Sequence, residues 1–402
     1  MEKKIYDCII IGGGISGISF AHYLHTINKE ALILEEKDTI GGQVRTIISP
    51  KLGNYWRELG GYACYNSYTS LLSLAREVQK EGMIIPLDKR PYLVYSKNRI
   101  KSIASELSFI SCALNFPKVF FSDKKGKTVQ EYFSPLVGKS NYKRLFRYAF
   151  RAVICQTPDE YPAELFLKKR KTRDETVSRK FSFKGGIQSF LEDILNEDNI
   201  ELRKQTKVTD IQFDDIYKIT TANGNDFYAR NIAMAANPQV NAMLLKQIEP
   251  EVCALLSLIP LFESESVNII VEKEKLSLKE TAAIISLNDE FMSVVPRDMV
   301  EDDKYRSFSF HFKKEGKSRE EKISLICKVL NISRSDILEI EEVDHTLAST
   351  RVEHLHMDQQ IGKVRRNDSV YVLGNYFYGL SLEDCVNRSK DEFERYKLLS
   401  GQ

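Results

Sequence analysis

The stretch that most constrains the fold of this chain is its first 35 residues. Residues 5–11 read Ile-Tyr-Asp-Cys-Ile-Ile-Ile and run into three consecutive glycines. A short apolar run that ends in glycine is typical of a buried parallel strand. A helical pattern follows over residues 15–28, and Ala31-Leu32-Ile33-Leu34 is a second apolar run. This order predicts a strand–helix–strand unit and an α/β fold built on a parallel sheet.

The glycines after the first strand predict a phosphate-binding turn. Gly12-Gly13-Gly14-Ile15-Ser16-Gly17 matches the pattern GxGxxG. The first glycine of this pattern permits a tight turn, the second lets the backbone approach a pyrophosphate, and the third lets the helix pack on the strand. All six residues are candidate cofactor contacts. The motif alone leaves a purely structural glycine turn open.

An acidic residue at the end of the second apolar run strengthens the prediction. Glu35 stands eighteen residues beyond Gly17. An acid at about this distance can accept hydrogen bonds from the hydroxyls of an adenosine ribose. Glu36 is a further candidate contact, although an adjacent strand residue points to the other side, where its alternative role is solvated surface. Together these residues predict a dinucleotide site.

The next motif indicates which dinucleotide is bound. Gly41-Gly42-Gln43-Val44-Arg45-Thr46 resembles the N-terminal signature of the flavin amine oxidase superfamily, which has a second glycine pair followed by arginine and threonine. The resemblance implies FAD, with Gly42, Gln43 and Arg45 near its pyrophosphate. The family usually has arginine where this chain has Gln43. The positive charge stands at Arg45 instead, so it is open which side chain neutralises the phosphate.

Two further segments carry the resemblance. Leu59-Gly60-Gly61-Tyr62 resembles the family segment that passes beneath the isoalloxazine ring. Glycine there would let the backbone approach a flat ring, and a plain turn is the alternative. Val208 matches the family strand whose backbone amide and carbonyl grip the adenine. The resemblance therefore implies cofactor contacts from all five residues.

The C-terminal motif lies far from the first one. Residues 370–386 match the family's C-terminal FAD motif and resemble protoporphyrinogen oxidases more than monoamine oxidases. The resemblance implies cofactor contacts from Gly374, Asn375, Ser381 and Leu382. A helix beginning near Ser381 would point its N–H groups at flavin N1 and the C2 carbonyl and stabilise the reduced form. Because no cysteine stands just before Gly374, we expect FAD to be bound non-covalently.

The length of the chain predicts two domains. A chain of 402 residues exceeds the usual size of one hydrophobic core. The resemblance implies a Rossmann-type, glutathione-reductase-like FAD-binding domain assembled from residues 1–87, 181–240 and 345–402. Residues 88–180 and 241–344 would then form a discontinuous substrate-binding domain of mixed sheet plus helices.

The resemblance also implies a reaction. We expect an FAD-dependent oxidase or dehydrogenase that takes hydride from a C–N or C–C bond of a small organic substrate onto flavin N5. The reaction would be an oxidation or desaturation of the protoporphyrinogen oxidase or amine oxidase kind, with O2 as the candidate electron acceptor. Two alternatives stay open: a flavin-dependent isomerase or mutase without net oxidation, and a non-catalytic FAD-binding accessory protein.

The sequence does not identify the catalytic side chains, but three candidates stand out. His311 could face a substrate cavity as a base or lie on the exterior of a strand. Arg297 could pair with a substrate carboxylate or belong to a solvent-facing turn. Tyr376 could lie near the flavin ring. Each candidate keeps its alternative.

Composition argues against several other classes. The net charge of +2 gives no support for nucleic-acid binding. Six histidines and seven cysteines show no metal-ligand spacing, so no metal is expected. The chain shows no secretory signal and no window of about 18 apolar residues, so we expect a cytoplasmic protein without a transmembrane segment. The sequence does not predict an oligomeric state.

Two basic segments have competing interpretations. Residues 139–151 alternate lysine and arginine with aromatic residues. This segment could make peripheral contact with a membrane, but a solvated face over an aromatic core is favoured. Residues 168–180 are charged and poor in apolar residues, which predicts an exposed connection. A nuclear-localisation signal at residues 168–171 is the alternative.

Overall fold

The computed structural model describes residues 3–60, 63–115, 117 and 122–401 of the chain. Their strands are β1 (Ile5–Ile11), β2 (Ala31–Leu34), β3 (Thr46–Ser49), β4 (Tyr55–Glu58), β5 (Cys64–Tyr65), β6 (Ile84–Pro86), β7 (Tyr92–Ser96), β8 (Arg99–Ser102), β9 (Lys180–Phe183), β10 (Ile200–Arg203), β11 (Val208–Phe213), β12 (Tyr217–Thr221), β13 (Asp226–Met234), β14 (Leu261–Glu272), β15 (Ala283–Ser286), β16 (Ser293–Pro296), β17 (Tyr305–Lys313), β18 (Ile337–Ala348) and β19 (Val370–Val372). The helices are α1 (Ile15–His25), α2 (Thr69–Glu77), α3 (Phe109–Asn115), α4 (Val129–Val137), α5 (Lys139–Asn141), α6 (Arg147–Ile154), α7 (Ile187–Ile194), α8 (Pro238–Leu245), α9 (Pro250–Ser257), α10 (Arg319–Leu330), α11 (Met357–Val364) and α12 (Leu382–Ser400).

The first sheet joins the two ends of the chain. Its strand order is β10-β2-β1-β13-β12-β11, and β19 pairs with β13. Strands β10, β2, β1, β13 and β19 run parallel, with Ile11 level with both Leu34 and Met234, and Met234 level with Val372. The carboxyl ends of five parallel strands therefore meet at one edge, where open α/β sheets bind their ligands. The predicted strand–helix–strand unit is confirmed.

Apolar side chains cover both faces of this sheet, which explains the unbroken apolar run of β1. Ile10 packs into a core with Phe20 of α1, Phe190 of α7 and Val386 of α12. Ile9 points to the opposite face and packs into a second core with Leu256 of α9. A strand buried on both faces needs apolar residues at every position, unlike the alternating strand of a half-exposed sheet.

The second sheet has the order β18-β14-β17-β16-β15-β7-β8. Only the β15–β7 pair is parallel, and it joins the two stretches 88–180 and 241–344. One face packs on α10, where Ile326 shares a core with Phe310. The sheet is thus mixed, as expected. The two-domain division itself, with its four boundaries, stays a prediction.

The basic aromatic segment 139–151 lies in a helical cluster. Tyr142 and Phe150 are buried in a core with Phe166, whereas Lys143 and Arg144 are exposed. Lys143 and Arg144 thus lie on the solvent side of an aromatic core, in keeping with the favoured interpretation, whereas Arg151 is buried and donates to the carbonyls of Ser286 and Phe291.

The hairpin of β3 and β4 packs against the second sheet. Arg57 is fully buried, and its Nη2 lies 3.0 Å from Glu339 Oε2 on β18. Ser309 of β17 donates a hydrogen bond to the carbonyl of Glu58 at 2.8 Å. These two contacts fix the position of the segment that begins at Leu59.

Candidate functional site

The glycine turn after β1 packs so closely on β13 that side chains are excluded. Gly12 has a φ of 112°, and a Cβ there would lie 2.9 Å from the carbonyl carbon of Ala235. A Cβ on Gly17 would lie 2.1 Å from the carbonyl oxygen of Gly12. These are the tight turn and the close helix–strand packing that the GxGxxG pattern predicts.

Glu35 lies next to this turn. It follows β2, and its carboxylate accepts a hydrogen bond from the N–H of Gly13 at 2.7 Å and another from the N–H of Lys37 at 2.9 Å. Glu36 is exposed and instead pairs with Lys207 at 3.2 Å. The structure therefore brings Glu35 to the glycine turn and leaves Glu36 on the solvated side.

The second glycine pair lies directly against the first. The N–H of Gly41 donates to the carbonyl of Gly13 at 2.8 Å, and a Cβ on Gly42 would lie 3.3 Å from the Cα of Gly14. The two turns thus share a backbone surface without side chains. Such a surface lets peptide N–H groups approach a pyrophosphate.

The side chains of Gln43 and Arg45 diverge. Gln43 turns towards β18, where its Nε2 donates to the carbonyl of Thr346 at 3.0 Å. Arg45 donates from Nη1 to Thr39 Oγ1 and forms no ion pair with the described residues. Arg45 is therefore the cation of this loop that remains available for a phosphate.

The segment expected beneath the ring packs against the same loop. The N–H of Leu59 donates to the carbonyl of Arg45 at 2.8 Å, and Leu59 is fully buried. A Cβ on Gly60 would lie 3.1 Å from the carbonyl oxygen of Gln43. The predicted contacts Gly61 and Tyr62 lie outside the described residues.

A backbone hydrogen bond places the segment before Val208 next to Glu35. The N–H of Thr206 donates to the carbonyl of Glu35 at 2.8 Å, and Val208 begins β11 two residues later. Ladder pairing with β12 shifts register between Val208 and Asp210. An irregular ladder at this point frees backbone groups of the kind that could contact an adenine.

The C-terminal motif lies at the same edge of the first sheet as the glycine turns. Gly374 follows β19 with a φ of 138°, and a Cβ there would lie 2.4 Å from the Tyr376 ring. Asn375 is half-buried beside it. The predicted helix begins at Leu382 with Ser381 as its N-cap, whose hydroxyl accepts from the N–H of Asp384. Ser389 of this helix donates to the carbonyl of Ser16 at 2.8 Å, so α12 packs on the helix of the glycine turn.

Tyr376, one of the three catalytic candidates, is a packing residue in the structure. It is 1% exposed, and its hydroxyl accepts a hydrogen bond from Asn241 Nδ2 at 3.0 Å. Burial raises its pKa above the usual range. The hydroxyl is thus held by Asn241, and the role of Tyr376 at the flavin ring stays a prediction.

Arg297 faces a small closed cavity beside the hairpin. Its side chain is only 10% exposed, and its guanidinium lies 4.3 Å from the centre of the Trp56 ring and 4.6 Å from that of Tyr55. Its Nε and Nη1 have no hydrogen-bond partner among the described residues. Ser182, Ser307 and Glu58 share the lining of the cavity, which has a volume of about 10 Å³, room for one water.

Glu58 is the acidic group of this cavity. It accepts hydrogen bonds from the N–H of Ile187 at 2.7 Å and from Thr46 Oγ1 at 2.8 Å. Burial nevertheless raises the pKa of Glu58 to about 7, because the hydrogen bonds and Arg297 compensate only part of the desolvation. A carboxyl group with such a pKa exchanges its proton near neutral pH.

His311 belongs to a buried polar chain rather than to a strand exterior. Its Nδ1 lies 2.8 Å from Ser266 Oγ, which lies 2.8 Å from His345 Nε2. His345 Nδ1 in turn lies 3.1 Å from Gln43 Oε1. Burial, with the neighbouring His345, lowers the pKa of His311 to about 3. We name Gln43, His345, Ser266 and His311 the histidine chain; it is neutral and runs from the cofactor loop into the second sheet.

Comparisons with known proteins decide the family. The family model described as "Flavin containing amine oxidoreductase" matches residues 15–273, which is more than half of the chain. The chain belongs to this family.

Curated relatives match over short stretches. The chain is 35% identical over 75 residues to amine oxidase [flavin-containing] B of Canis lupus familiaris, covering 19% of this chain and 14% of that protein. It is 28% identical over 109 residues to protoporphyrinogen oxidase 1, chloroplastic, of Spinacia oleracea, covering 26% of this chain and 19% of that protein. The chain thus aligns with only a small part of the relatives' own length.

Solved structures match over nearly the whole chain. A protein of Exiguobacterium sp. 255-15 proposed to be a protoporphyrinogen oxidase has a TM-score of 0.80 at 16% identity, covering 99% of this chain and 100% of that one. Cyclohexylamine oxidase of Brevibacterium oxydans IH-35A has a TM-score of 0.72 at 16% identity, with the same coverage. At these identities the likeness shows the fold.

Membership of the flavin-containing amine oxidoreductase family confirms two expectations, the fold class and FAD as the cofactor. The described residues fit FAD, because two side-chain-free turns, the Glu35 carboxylate and the first turn of α12 converge at one sheet edge. The assignment of individual contacts to the cofactor stays a prediction.

Three kinds of residue in the structure were not predicted from the sequence. Glu58 carries a local signal, an acid in a strand just before a glycine pair. Ser266 and His345 carry none, because their partners are distant in sequence. Lys168 and Arg170, expected in an exposed connection, are instead half-buried against α12.

Throughout the described ranges, no helix combines the length and the apolar character needed to cross a membrane. Within the same ranges, no three or more His, Cys, Asp or Glu side chains cluster as they would around a metal ion.

Proposed function

We propose that this flavin-containing amine oxidoreductase oxidises a small organic molecule by removing hydride from a C–N or C–C bond. One observation carries the proposal: the loops that begin at Gly12, Glu35 and Leu373 leave the same edge of one parallel sheet, because Ile11, Leu34, Met234 and Val372 are aligned. Bound FAD supplies the two-electron acceptor at its N5 position. The protein then supplies binding, orientation and electrostatics.

The binding roles follow from the geometry. Backbone N–H groups of the two glycine turns would hold the pyrophosphate, with Arg45 as the neutralising cation. Glu35 would accept hydrogen bonds from the ribose, and the backbone at Val208 would contact the adenine. The first turn of α12, after Ser381, would favour negative charge on the reduced ring system, since helix N-termini stabilise anions.

We place the substrate between the first sheet and the second. The stretches 1–87, 181–240 and 345–402 would bind the cofactor, and 88–180 and 241–344 would bind the substrate. Arg297 and Glu58 are the candidate polar groups beside the substrate, because Arg297 has N–H groups without a hydrogen-bond partner among the described residues and burial raises the pKa of Glu58 to about 7. The cavity that they share has room for one water, so we propose that it holds a water next to the substrate rather than the substrate itself. Cavities with convergent polar groups and shifted pKa values are frequent sites of chemistry.

The remaining roles are proposals of the same kind. O2 is the electron acceptor we propose, because oxidases are among the similar structures. We propose a cytoplasmic location; contact with a membrane would be peripheral. The oligomeric state is left to experiment.

One structural likeness favours a second candidate, an isomerase without net oxidation. The CLA-producing fatty acid isomerase from P. acnes has a TM-score of 0.73 at 12% identity, covering 98% of this chain and 100% of that one. The product of an isomerase without net oxidation would have the mass of its substrate.

The decisive experiment is anaerobic titration of the purified protein. We expect a yellow protein whose visible flavin band bleaches on addition of a substrate from a panel of amines, cyclic imines and tetrapyrrole precursors, and returns when O2 is admitted. A protein that binds FAD but is bleached by none of them would contradict oxidation. Turnover that requires pre-reduced flavin and leaves the product mass unchanged would identify the isomerase instead.

Two matched variants test the flavin site itself. Gly14→Trp would fill the surface shared with Gly42 and should yield a colourless protein. Gly362→Trp is the control, since a Cβ at this exposed position meets nothing within 4 Å.

If the accessory hypothesis were correct, cellular activity would persist with a redox-inactive flavin analogue in place of FAD.

A further inference from the structure

A charged segment crosses from the helical cluster to the C-terminal motif. Residues 168–173, here named the strap, follow the buried Phe166 of that cluster. Lys168 and Arg170 turn inwards and are about one-quarter exposed, whereas Lys169 and Lys171 are exposed. The strap therefore presents alternate cations to the protein and to solvent.

Both inward cations bind the first turn of α12. Lys168 Nζ lies 3.0 Å from Asp384 Oδ1, and Arg170 Nη2 lies 2.9 Å from the same oxygen. Arg170 also donates to Ser381 Oγ at 2.9 Å, and Lys168 donates to the carbonyl of Tyr378. These partners lie at both ends of the loop 379–381, which leads into α12.

The other end of the strap is attached to the FAD-side segment before α2. Arg173 Nη1 donates to Asn66 Oδ1 at 3.1 Å, and the Arg170 guanidinium lies 4.9 Å from the centre of the Tyr68 ring. The strap thus crosses the ends of two segments that the cofactor motifs place at the ring system. Its position is fixed by contacts on both sides.

Two buried carboxylates lie in the first turn of α12, Glu383 and Asp384. Asp384 binds both Lys168 and Arg170, whereas Glu383 accepts hydrogen bonds from the N–H groups of Ser70 and Leu71 at 3.0 Å. The two cations therefore balance these carboxylates, and they lie beside the N-terminus of a 19-residue helix, whose dipole has the same sign. Charges that are partly withdrawn from water interact more strongly than surface charges.

We propose that Lys168 and Arg170 raise the reduction potential of the bound flavin by stabilising the negative charge that accompanies its reduction. This inference rests on the proposed function, since it assigns the first turn of α12 to the ring system. The two side chains contact Tyr378, Ser381 and Asp384 around the start of α12, so their role is electrostatic and positioning. A purely mechanical strap is the competing explanation.

The test is the midpoint potential of the FAD-loaded protein, measured by spectroscopic titration against a reference dye. We expect Lys168→Met and Arg170→Met each to lower the equilibrium constant of two-electron reduction about tenfold, which is about 30 mV. Lys169→Met and Lys171→Met remove the same charge from exposed positions of the strap and should leave the potential unchanged. Lys168→Arg and Arg170→Lys keep the positive charge and should therefore keep most of the native midpoint potential.

Asp384→Asn supplies a test with the opposite sign. It removes the negative charge, keeps the size of the side chain and leaves both cations in place, so the potential should rise. A mechanical strap predicts no rise, because the variant weakens the contacts of both cations. Asp384→Asn also decides the matter if Lys168→Met or Arg170→Met fails to retain FAD.

The outcomes separate this inference from the proposed function. A wild-type protein that is colourless, or that no substrate reduces, contradicts the function. A protein that turns over but whose potential is equal in native, Lys168→Met, Arg170→Met and Asp384→Asn forms contradicts only the electrostatic role of the strap.

Discussion

The carboxylate of Glu35 accepts a hydrogen bond from the backbone N–H of Gly13 at 2.7 Å, across 22 residues of sequence. This contact joins the acid at the end of β2 to the glycine turn after β1. It orients the carboxylate towards the place where a ribose would lie next to a pyrophosphate.

The first prediction concerns this contact. Glu35→Ala should weaken FAD binding to the apoprotein about 10- to 100-fold, since hydrogen bonds to a charged group contribute about 1.5–3 kcal/mol. Fluorescence titration of FAD measures the affinity. Glu36→Ala is the matched control, because Glu36 is exposed and pairs only with Lys207 among the described residues. Equal effects of the two substitutions would refute a ribose contact at Glu35.

The second prediction concerns the packing of α1 on β1. Gly17→Ala should destabilise the protein by about 1–3 kcal/mol, because its Cβ would lie 2.1 Å from the carbonyl oxygen of Gly12. The midpoint of thermal unfolding reports the loss. Gly82→Ala adds the same methyl group where a Cβ meets nothing within 4 Å, and it should change the midpoint little. A Gly17→Ala protein as stable as Gly82→Ala would show that the turn can relax.

The third prediction follows from the pKa of Glu58, which burial raises from 4.5 to about 7. The folded state then holds a proton that the unfolded state has released between about pH 4.5 and 7. The free energy of unfolding should therefore fall as pH rises through this window, by about 3 kcal/mol from this group, and stay level above it.

Glu58→Gln tests this pH dependence, because glutamine keeps the shape of the protonated acid and cannot ionise. The difference in thermal midpoint between pH 5 and pH 8 should shrink in Glu58→Gln and persist in the exposed control Glu36→Gln. An unchanged difference in Glu58→Gln would mean that Glu58 keeps an ordinary pKa.

The fourth prediction separates two buried arginines. Arg297 has N–H groups without a hydrogen-bond partner among the described residues, and its ion pair with Asp302 is long, 3.8 Å from Nη1 to Oδ2. Arg306, in contrast, is paired with Asp298 through Nε at 2.8 Å and through Nη2. Arg297→Met should therefore leave the thermal midpoint unchanged or higher and reduce kcat/KM, as expected of a group kept for function. Arg306→Met should lower the midpoint by leaving Asp298 buried without its partner.

Thermal unfolding and steady-state kinetics of the two arginine variants provide the comparison. If Arg297→Met lost stability and retained full kcat/KM, Arg297 would be structural and would have no part in the reaction.

The fifth prediction concerns the histidine chain. Ser266→Ala should destabilise the protein by about 1–3 kcal/mol, because both His311 and His345 lose a hydrogen-bond partner in a buried site. Chemical unfolding measures this effect, and the exposed Ser257→Ala serves as the control. A neutral outcome for Ser266→Ala would indicate that water replaces the hydroxyl.

Much of the cofactor half could be predicted because its signals are local. The apolar run of β1, the spacing of Gly12, Gly14 and Gly17, and the acid after β2 each follow from contacts within one strand–helix–strand unit. The helix after Ser381 was likewise predictable, since an N-cap serine is a local feature. Here the pattern of side chains alone specifies backbone geometry.

The remaining features depend on contacts between distant residues, and no local pattern specifies those. The sequence by itself determined the strand–helix–strand unit, the glycine turns and the FAD motifs, because short-range sterics and apolar periodicity fix them. Only the tertiary structure decided that Glu58 lies unsolvated beside Arg297, that His311 faces Ser266, and that alternate cations of the strap bind Asp384. Burial and long-range pairing set the charge and pKa of a side chain, and both arise only when the sheets and helices pack together.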